Sequence, residues 1–158
     1  YIYTDGSGGS SKRGDVRLPA WSFLVSASDS NMQQSVVGFT GRSAEVAVGR
    51  PWNIGVVCDD SYAMEVTAIS FAPLWLAHDS TFPGIPARIC YDSQAAAQAA
   101  QGSSNGGGKL GTLIAPPLTN AVKQSRQLHW HHVYAHDEHP LNGMADTICT
   151  MSGKANYS

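Results

Sequence analysis

Four acidic residues that are far apart in the chain stand where apolar runs end or helical patterns begin. Asp5 and Asp92 end short apolar, strand-like runs, whereas Glu65 and Asp146 lie at or near the start of helix-like runs. Carboxylates at the ends of buried elements repel one another unless a cation lies between them, and hard divalent metal ions with oxygen ligands commonly fill that role. We therefore expect a fold that gathers these four side chains around divalent cations.

The composition indicates one globular domain. The chain has 158 residues, of which 42% are hydrophobic, and a chain of this length buries about two thirds of the surface that it exposes when unfolded. No run of 18 uncharged apolar residues occurs, so the sequence predicts no membrane partner. The chain begins inside an apparent strand without a basic and then apolar leader, so we expect no secretory signal and a domain taken from a longer protein.

Three cysteines indicate a reducing environment. Cys58, Cys90 and Cys149 are far apart, lack C-x-x-C spacing and lie in apolar neighbourhoods. Such residues are usually buried free thiols of a reducing compartment. We therefore expect an intracellular protein, in the cytoplasm or the nucleus.

The formal net charge of −2 argues at first against a nucleic-acid partner, because sequence-independent binders of DNA or RNA are usually basic. Four of the 12 acidic residues, however, are the ones at the element ends. Two divalent cations would reverse the local sign of the charge there. The sequence therefore predicts a domain that binds phosphates weakly by itself and relies on an attached partner domain.

Apolar patterns alternate along the chain between strand-like and helix-like segments. The predicted strands are 1–4, 18–27, 35–40, 87–91 and 128–135, and the predicted helices are 62–78, 93–101, 113–126 and 141–151. We expect a flexible loop from Asp5 onward, a kink if Pro73 lies inside its helix, and Pro116 and Pro117 in a first helical turn. The stretch 41–60 has little periodicity and predicts an insertion or long loop. The order β-β-β-α-β-α-α-β-α predicts an α/β fold.

Four short motifs occur in sequence along the chain. In the most specific one, His136 is followed by a histidine after three residues, an asparagine after six and Asp146 after ten. The other three are Tyr3-Thr4-Asp5-Gly6-Ser7, Met64-Glu65, and Asp92-Ser93-Gln94 with Gln98. Together they resemble the type 1 ribonuclease H family over essentially the whole chain, with residues 1–158 as a single domain.

The resemblance implies a ribonuclease H-like fold, with a five-stranded mixed sheet flanked by helices, and hydrolysis of the RNA strand of RNA–DNA hybrids. It implies that Asp5, Glu65, Asp92 and Asp146 hold two Mg²⁺ ions, for which Mn²⁺ can substitute. His136 is expected to move protons or to help release product. Oxygen-only ligation suits these ions rather than zinc.

Substrate recognition is expected to follow from the shape of the hybrid, whose RNA strand offers 2′-hydroxyls along a wide, shallow minor groove. Gln94 and Gln98 lie four residues apart, on one face of a predicted helix, and are expected to bond bases or sugars there. Backbone groups of Gly6 and Ser7 are expected to reach a 2′-hydroxyl. Asn142 is a further candidate for substrate binding and also a candidate N-cap residue.

A Gly/Ser/Asn-rich linker at 101–108 occupies the region where cellular members of the family insert a basic protrusion. In this respect the chain resembles the ribonuclease H domains of reverse-transcribing elements such as retrotransposons. That resemblance implies two partners, an RNA–DNA hybrid and a fused or associated reverse transcriptase that supplies grip on the substrate.

Two alternatives remain open, and a third, zinc binding, is disfavoured. A catalytically weak or silent relative would keep the fold as a nucleic-acid-binding module, and a metal-dependent cleavage assay distinguishes it. A DNA nuclease of the same superfold would prefer duplex DNA to a hybrid. The cluster His129, His131 and His132 suggests zinc, but no cysteine or acidic residue at ligand spacing accompanies it, so no zinc is expected.

Overall fold

A computed structural model of the chain describes residues 1–12, 15–43, 61–79, 81–102, 110–134 and 139–154. Its elements are, in chain order, β1 (Ile2–Ser7), β2 (Ser10–Lys12), β3 (Asp15–Arg17), β4 (Ala20–Ser28), β5 (Gln34–Ser43), α1 (Ser61–His78), β6 (Ala87–Tyr91), α2 (Gln94–Ala100), α3 (Leu110–Lys123), β7 (Leu128–His132) and α4 (Pro140–Ser152).

A five-stranded mixed sheet organises the fold, with strand order β5-β4-β1-β6-β7. The strands β5, β4 and β1 pair antiparallel, whereas β1 pairs parallel with β6 and β6 parallel with β7. The parallel strand β6 lies between two neighbours, which explains its nearly continuous apolar run. The predicted α/β fold, with a five-stranded mixed sheet and helices around it, is confirmed.

The helices cover opposite faces of this sheet. Side chains alternate along a strand, so Ile2 packs in a core cluster with Met64 of α1, whereas Tyr3 packs in another cluster with Ala145 of α4. Helix α1 is in turn covered by the alanines of α2 and by α3. Because α1 has protein on several sides, all of residues 63–70 are buried.

Strand β1 is longer than the sequence predicts. It continues to Ser7, so Asp5 lies inside the strand rather than at its end, and the expected flexible loop contains the short hairpin of β2 and β3. The reason is long-range pairing: Gly6 and Ser7 pair with Trp21 and Ala20 of β4. Gly and Ser have low strand propensity, and tertiary pairing overrides that preference.

Strand β5 also exceeds its prediction. It ends at Ser43, so 41–43 belong to the sheet and not to the predicted loop at 41–60. A Cβ atom on Gly41 would meet Ser152 and Ile148 of α4, so glycine at this position permits close packing of α4 on the sheet. Residues 44–60, which include Cys58, lie outside the described residues.

Helix α3 begins at residue 110, before its predicted start, which moves Pro116 and Pro117 from the first turn into the helix interior. Proline inside a helix removes a backbone hydrogen bond and is usually confined to the first turn. Here α3 keeps both prolines in its interior and packs against α1 and α2. Pro73 likewise lies inside α1, which continues to His78. The predicted strand at 128–135 is shorter in the structure and ends at His132.

The described cysteines, Cys90 and Cys149, are free and buried. Burial raises the pKa of Cys90 to about 11 and raises that of Cys149 further above its ordinary value. Thiols in such surroundings are poor nucleophiles. Within the described segments, none of the helices has the length and apolar character that crossing a membrane requires.

Candidate active site

Asp5 and Asp92 meet because their strands are parallel neighbours. In the pairing of β1 with β6, Ile2 stands opposite Ile89 and Tyr3 opposite Cys90. Two residues further along the chain, this register leads to Asp5 within β1 and to Asp92 directly after β6. Parallel strands with aligned register therefore carry the two carboxylates to the same level of the sheet.

Glu65 reaches the same place through close packing of α1 on β1. A Cβ atom on Gly6 would overlap the backbone of Met64 and Glu65, so only glycine allows this approach. The backbone N–H of Gly8 also donates to Ser61 Oγ at 3.1 Å, which ties the first residue of α1 to the segment after β1. The first turns of α1 are thereby held against the strand that carries Asp5.

The three carboxylates form one cluster. Asp5, Glu65 and Asp92 each offer an oxygen, and these oxygens lie within 4.8 Å of one another. Asp5 and Glu65 are buried and Asp92 is partly buried. Two of the buried oxygens, Oε2 of Glu65 and Oδ1 of Asp92, have no hydrogen-bond partner. Buried acceptors without a partner are costly, so the cluster is suited to a ligand that accepts lone pairs.

The pKa values of Asp5 and Glu65 also favour a cation in the cluster. Burial, the charge of Asp92 and a hydrogen bond with Asp146 raise the pKa of Asp5 to about 8. Burial and the charges of Asp92 and Asp5 raise the pKa of Glu65 to about 10. Hydrogen bonds with the backbone of Gly6 oppose both shifts. Carboxyls that resist ionisation in each other's company are stabilised as anions by a cation placed between them.

Asp146 of α4 lies outside this group of three carboxylates but near enough to Asp5 for its charge to contribute to the raised pKa of Asp5. Its helix, α4, is anchored beside it, because Ser22 Oγ donates to the backbone oxygen of Ala145 at 2.7 Å. Ser22 is the β4 residue that stands opposite Asp5 in the sheet. Asp146, which is exposed, is thus the next residue after Ala145, whose buried hydrogen bond with Ser22 lies level with Asp5 in the sheet.

Two further candidates, His136 and Asn142, come from the C-terminal part of the chain. His136 lies outside the described residues. Asn142 lies in the first turn of α4, so its expected role as the N-cap residue is wrong: His139 holds that position and Pro140 follows it, in keeping with the preference of proline for the start of helices. The His139 ring packs 5.1 Å from that of Tyr3.

The other predicted substrate-binding residues lie close in sequence to Asp5 and Asp92. Gln94 and Gln98 are exposed on α2, four residues apart. Gly6 and Ser7 end β1, and Ser7 Oγ accepts a long, 3.5 Å hydrogen bond from the Gly9 N–H.

His132 is a residue of this region that the sequence analysis considered only within a histidine cluster and not as part of the carboxylate site. It contacts both the backbone of Asp92 and the side chain of Gln94. The feature that identifies His132 is its position as the last residue of β7, the strand beside β6, where it stands opposite Tyr91.

The donor set fits a hard divalent cation. The cluster supplies carboxylate oxygens alone, two of which lack partners, and such ligands suit Mg²⁺ or Mn²⁺. Across the described part of the chain, the group of potential ligands close enough to share an ion contains no histidine or cysteine. His129 and His131 are exposed.

Comparisons with known proteins establish the fold. No protein-family model and no curated protein matches the sequence. Among solved structures, RNase H1 from the halophilic archaeon Halobacterium salinarum NRC-1 is 17% identical with a TM-score of 0.62, over 96% of this chain and 94% of that one. A foamy viral protease-reverse transcriptase, solved with double-stranded DNA, is 16% identical with a TM-score of 0.62, over 96% and 92%. LC11-RNase H1, solved with an RNA/DNA hybrid, is 16% identical with a TM-score of 0.57, over 94% and 91%. The chain has the ribonuclease H-like fold of these neighbours.

Proposed function

We propose that the chain is a divalent-metal-dependent endoribonuclease that cleaves the RNA strand of RNA–DNA hybrids. The observation that carries this proposal is the cluster of Asp5, Glu65 and Asp92, whose oxygens lie within 4.8 Å of one another in a fold similar to that of ribonucleases H. Buried carboxylates with raised pKa values lower the stability of the fold when they ionise. A binding module without activity would gain nothing that offsets this cost.

Each carboxylate has a proposed role in holding the metal. Asp5, Glu65 and Asp92 would hold two Mg²⁺ or Mn²⁺ ions, and Asp146, whose charge affects the pKa of Asp5, would complete the set of ligands. Bound ions of this kind activate a water for attack on phosphorus and stabilise charge on the phosphate oxygens. The close contact of Gly6 with α1 keeps Glu65 in position. We propose that His136 moves protons or assists product release.

Recognition of the hybrid is assigned to the polar residues around the cluster. Gln94 and Gln98 share an exposed helix face next to Asp92, and Ser7 and Asn142 lie on the elements that carry Asp5 and Asp146. Gly6 is proposed to contribute backbone groups only. The structure of the neighbour LC11-RNase H1 in complex with an RNA/DNA hybrid supports this choice of substrate. The minor groove of a hybrid offers 2′-hydroxyls to polar side chains.

The biological setting is also a proposal. The match to a foamy viral protease-reverse transcriptase supports a retroelement origin and a fused or associated reverse transcriptase as partner. The buried free thiols of Cys90 and Cys149 support a reducing, intracellular location.

The decisive experiment is cleavage of a labelled RNA–DNA hybrid in Mg²⁺ or Mn²⁺, with duplex DNA, duplex RNA and EDTA in parallel. We expect metal-dependent cuts within the RNA strand of the hybrid alone. Asp92→Asn is the matched control, because it keeps the size of the side chain and removes its charge. Binding of the hybrid without cleavage would indicate a silent module, and cleavage of duplex DNA would indicate a DNA nuclease.

A further inference from the structure

One imidazole connects the loop that carries Asp92 with a candidate substrate-binding side chain. His132 ends β7 and stands opposite Tyr91, the residue before Asp92. Its Nε2 lies 3.2 Å from the backbone oxygen of Asp92, and its Nδ1 lies 3.4 Å from Nε2 of Gln94. The ring packs against Tyr91 at 5.5 Å and edge-to-face with Tyr134 at 4.4 Å, both between centroids. The imidazole therefore contacts two aromatic rings as well as a polar group at each nitrogen.

The partners of this ring determine its hydrogen-bond roles. A backbone carbonyl only accepts hydrogen bonds, so Nε2 of His132 must carry the hydrogen and donate to Asp92. In this tautomer Nδ1 is an acceptor. Gln94 must then present its NH₂ group to Nδ1. Because the NH₂ group of the planar amide is the end that contacts His132, Oε1 of Gln94 is not used by this contact and is available as an acceptor.

We propose that His132 is a positioning residue, which holds the Asp92 loop through Nε2 and orients Gln94 through Nδ1 so that Gln94 Oε1 accepts a hydrogen bond from the minor groove of the substrate. The ribose 2′-hydroxyl is a donor that every RNA nucleotide carries there and that DNA lacks. This inference rests on the proposed function, since it assigns His132 to the same reaction. It makes one side chain responsible for both the placement of a metal ligand and the reading of the RNA strand.

Two substitutions separate these two roles. His132→Asn places an amide near the position of Nδ1, so it keeps a partner for Gln94 and loses the bond to Asp92. His132→Gln reaches the position of Nε2, so it keeps the bond to Asp92 and loses the acceptor for Gln94. On a labelled hybrid we expect kcat to fall by about 10-fold with little change in KM for the Asn variant. For the Gln variant we expect KM to rise by about 3- to 10-fold with kcat little changed.

Further variants make the experiment specific. Gln94→Ala should raise KM in the wild-type background but add little to His132→Gln, because both remove the same interaction. His131→Asn on the exposed side of β7 is the matched control and should leave both constants unchanged. A parallel fall of kcat, kcat/KM and Tm in both His132 variants would reduce the residue to a structural role and overturn the proposal. Wild-type constants in both variants would also overturn it.

A second readout does not depend on activity. Long-range ¹H–¹⁵N NMR of the metal-free protein reports which nitrogen of His132 carries the hydrogen. We expect the Nε2–H tautomer, together with a shift of the Gln94 side-chain amide in His132→Gln; the Nδ1–H tautomer would overturn the inference. If the wild-type protein failed to cleave the hybrid, the proposed function would fail, and this NMR result would still decide how His132 holds Gln94 and Asp92.

Discussion

Gly6 and Glu65 lie so close together that a Cβ atom on Gly6 would overlap the backbone nitrogen of Glu65. This contact joins a strand to a helix at the point where each contributes a carboxylate, Asp5 from β1 and Glu65 from α1. The distance between those carboxylates therefore depends on the absence of a side chain at residue 6. Glycine is required here for close approach and not for an unusual backbone angle, since the φ of Gly6 is not positive.

We predict that Gly6→Ala displaces α1 and separates Glu65 from Asp5. The new methyl group would overlap backbone atoms, which cannot rotate away, and overpacking of this kind costs about 1–3 kcal/mol of stability. A displacement of about 1 Å at a catalytic site lowers turnover by up to about 100-fold. Thermal unfolding and hybrid cleavage measure the two effects.

The control for that variant is Gly143→Ala. Gly143 lies within α4, and a Cβ atom there meets nothing within 4 Å. Replacing a helical glycine by alanine should raise stability by about 0.5–1 kcal/mol, with unchanged cleavage. Wild-type stability and activity of Gly6→Ala would contradict the assigned role of the contact.

The stability of the metal-free protein should fall as the pH rises. The pKa values of Asp5 and Glu65 are raised to about 8 and about 10, so the folded state binds more protons than the unfolded chain between about pH 4 and these values. The stability associated with the two protonated carboxyls is fully present below about pH 4 and is lost as the pH passes through their raised pKa values. We expect Tm in EDTA to decline from pH 5 to pH 9, and less steeply in Glu65→Gln.

Magnesium should reverse this trend. A cation that binds only the folded state stabilises it by mass action, and it binds best when the carboxylates are ionised. At pH 8 we expect Mg²⁺ to raise the Tm of the wild-type protein and to have little effect on Glu65→Gln. A Tm in EDTA that increased with pH would contradict the raised pKa values.

The parts of this architecture that the sequence predicts best are the local ones. The strand at 87–91 has its predicted bounds because its apolar run ends at Asp92. The helix predicted from residue 93 begins one residue later, and Ser93 is its N-cap, which accepts from the Ala96 N–H. Such signals depend on a few neighbouring residues. The four carboxylates were recognised in the same way, from short motifs.

The features that the sequence did not predict depend on distant partners. Strand β1 continues through Gly6 and Ser7 because β4 pairs with them, and the hairpin of β2 and β3 follows in a segment with loop-like composition. The role of His132 depends on its register opposite Tyr91, which only the order of strands determines. Long-range pairing therefore decides what local propensity leaves open.

The anchor of α4 gives a further prediction. Ser22→Ala removes the buried hydrogen bond to the backbone oxygen of Ala145, which should cost about 0.5–1.5 kcal/mol. Because Asp146 is the next residue of α4, we also expect a lower kcat, in contrast to Thr147→Ala. Thr147 makes a comparable 3.0 Å bond to Gly143 on the exposed side of the same helix. Equal kcat values for the two variants would show that this anchor does not position Asp146.

A buried ion pair at the far end of α1 should contribute to stability without affecting catalysis. Arg126 Nη2 lies 3.7 Å from Asp79 Oδ2, with both side chains about 5% exposed or less, and the guanidinium also donates to the backbone oxygens of Leu76 and Ile85 at 3.4 Å. Arg126→Met leaves the Asp79 carboxylate buried without its cation, which should cost about 3–5 kcal/mol in urea unfolding. Asp79→Asn in that background should cost little more, since the pair is already broken. We expect kcat on a hybrid to stay within about twofold of wild type below the melting transition. A selective loss of kcat in the folded Arg126→Met variant would mean that this end of α1 is coupled to the carboxylates at the other end.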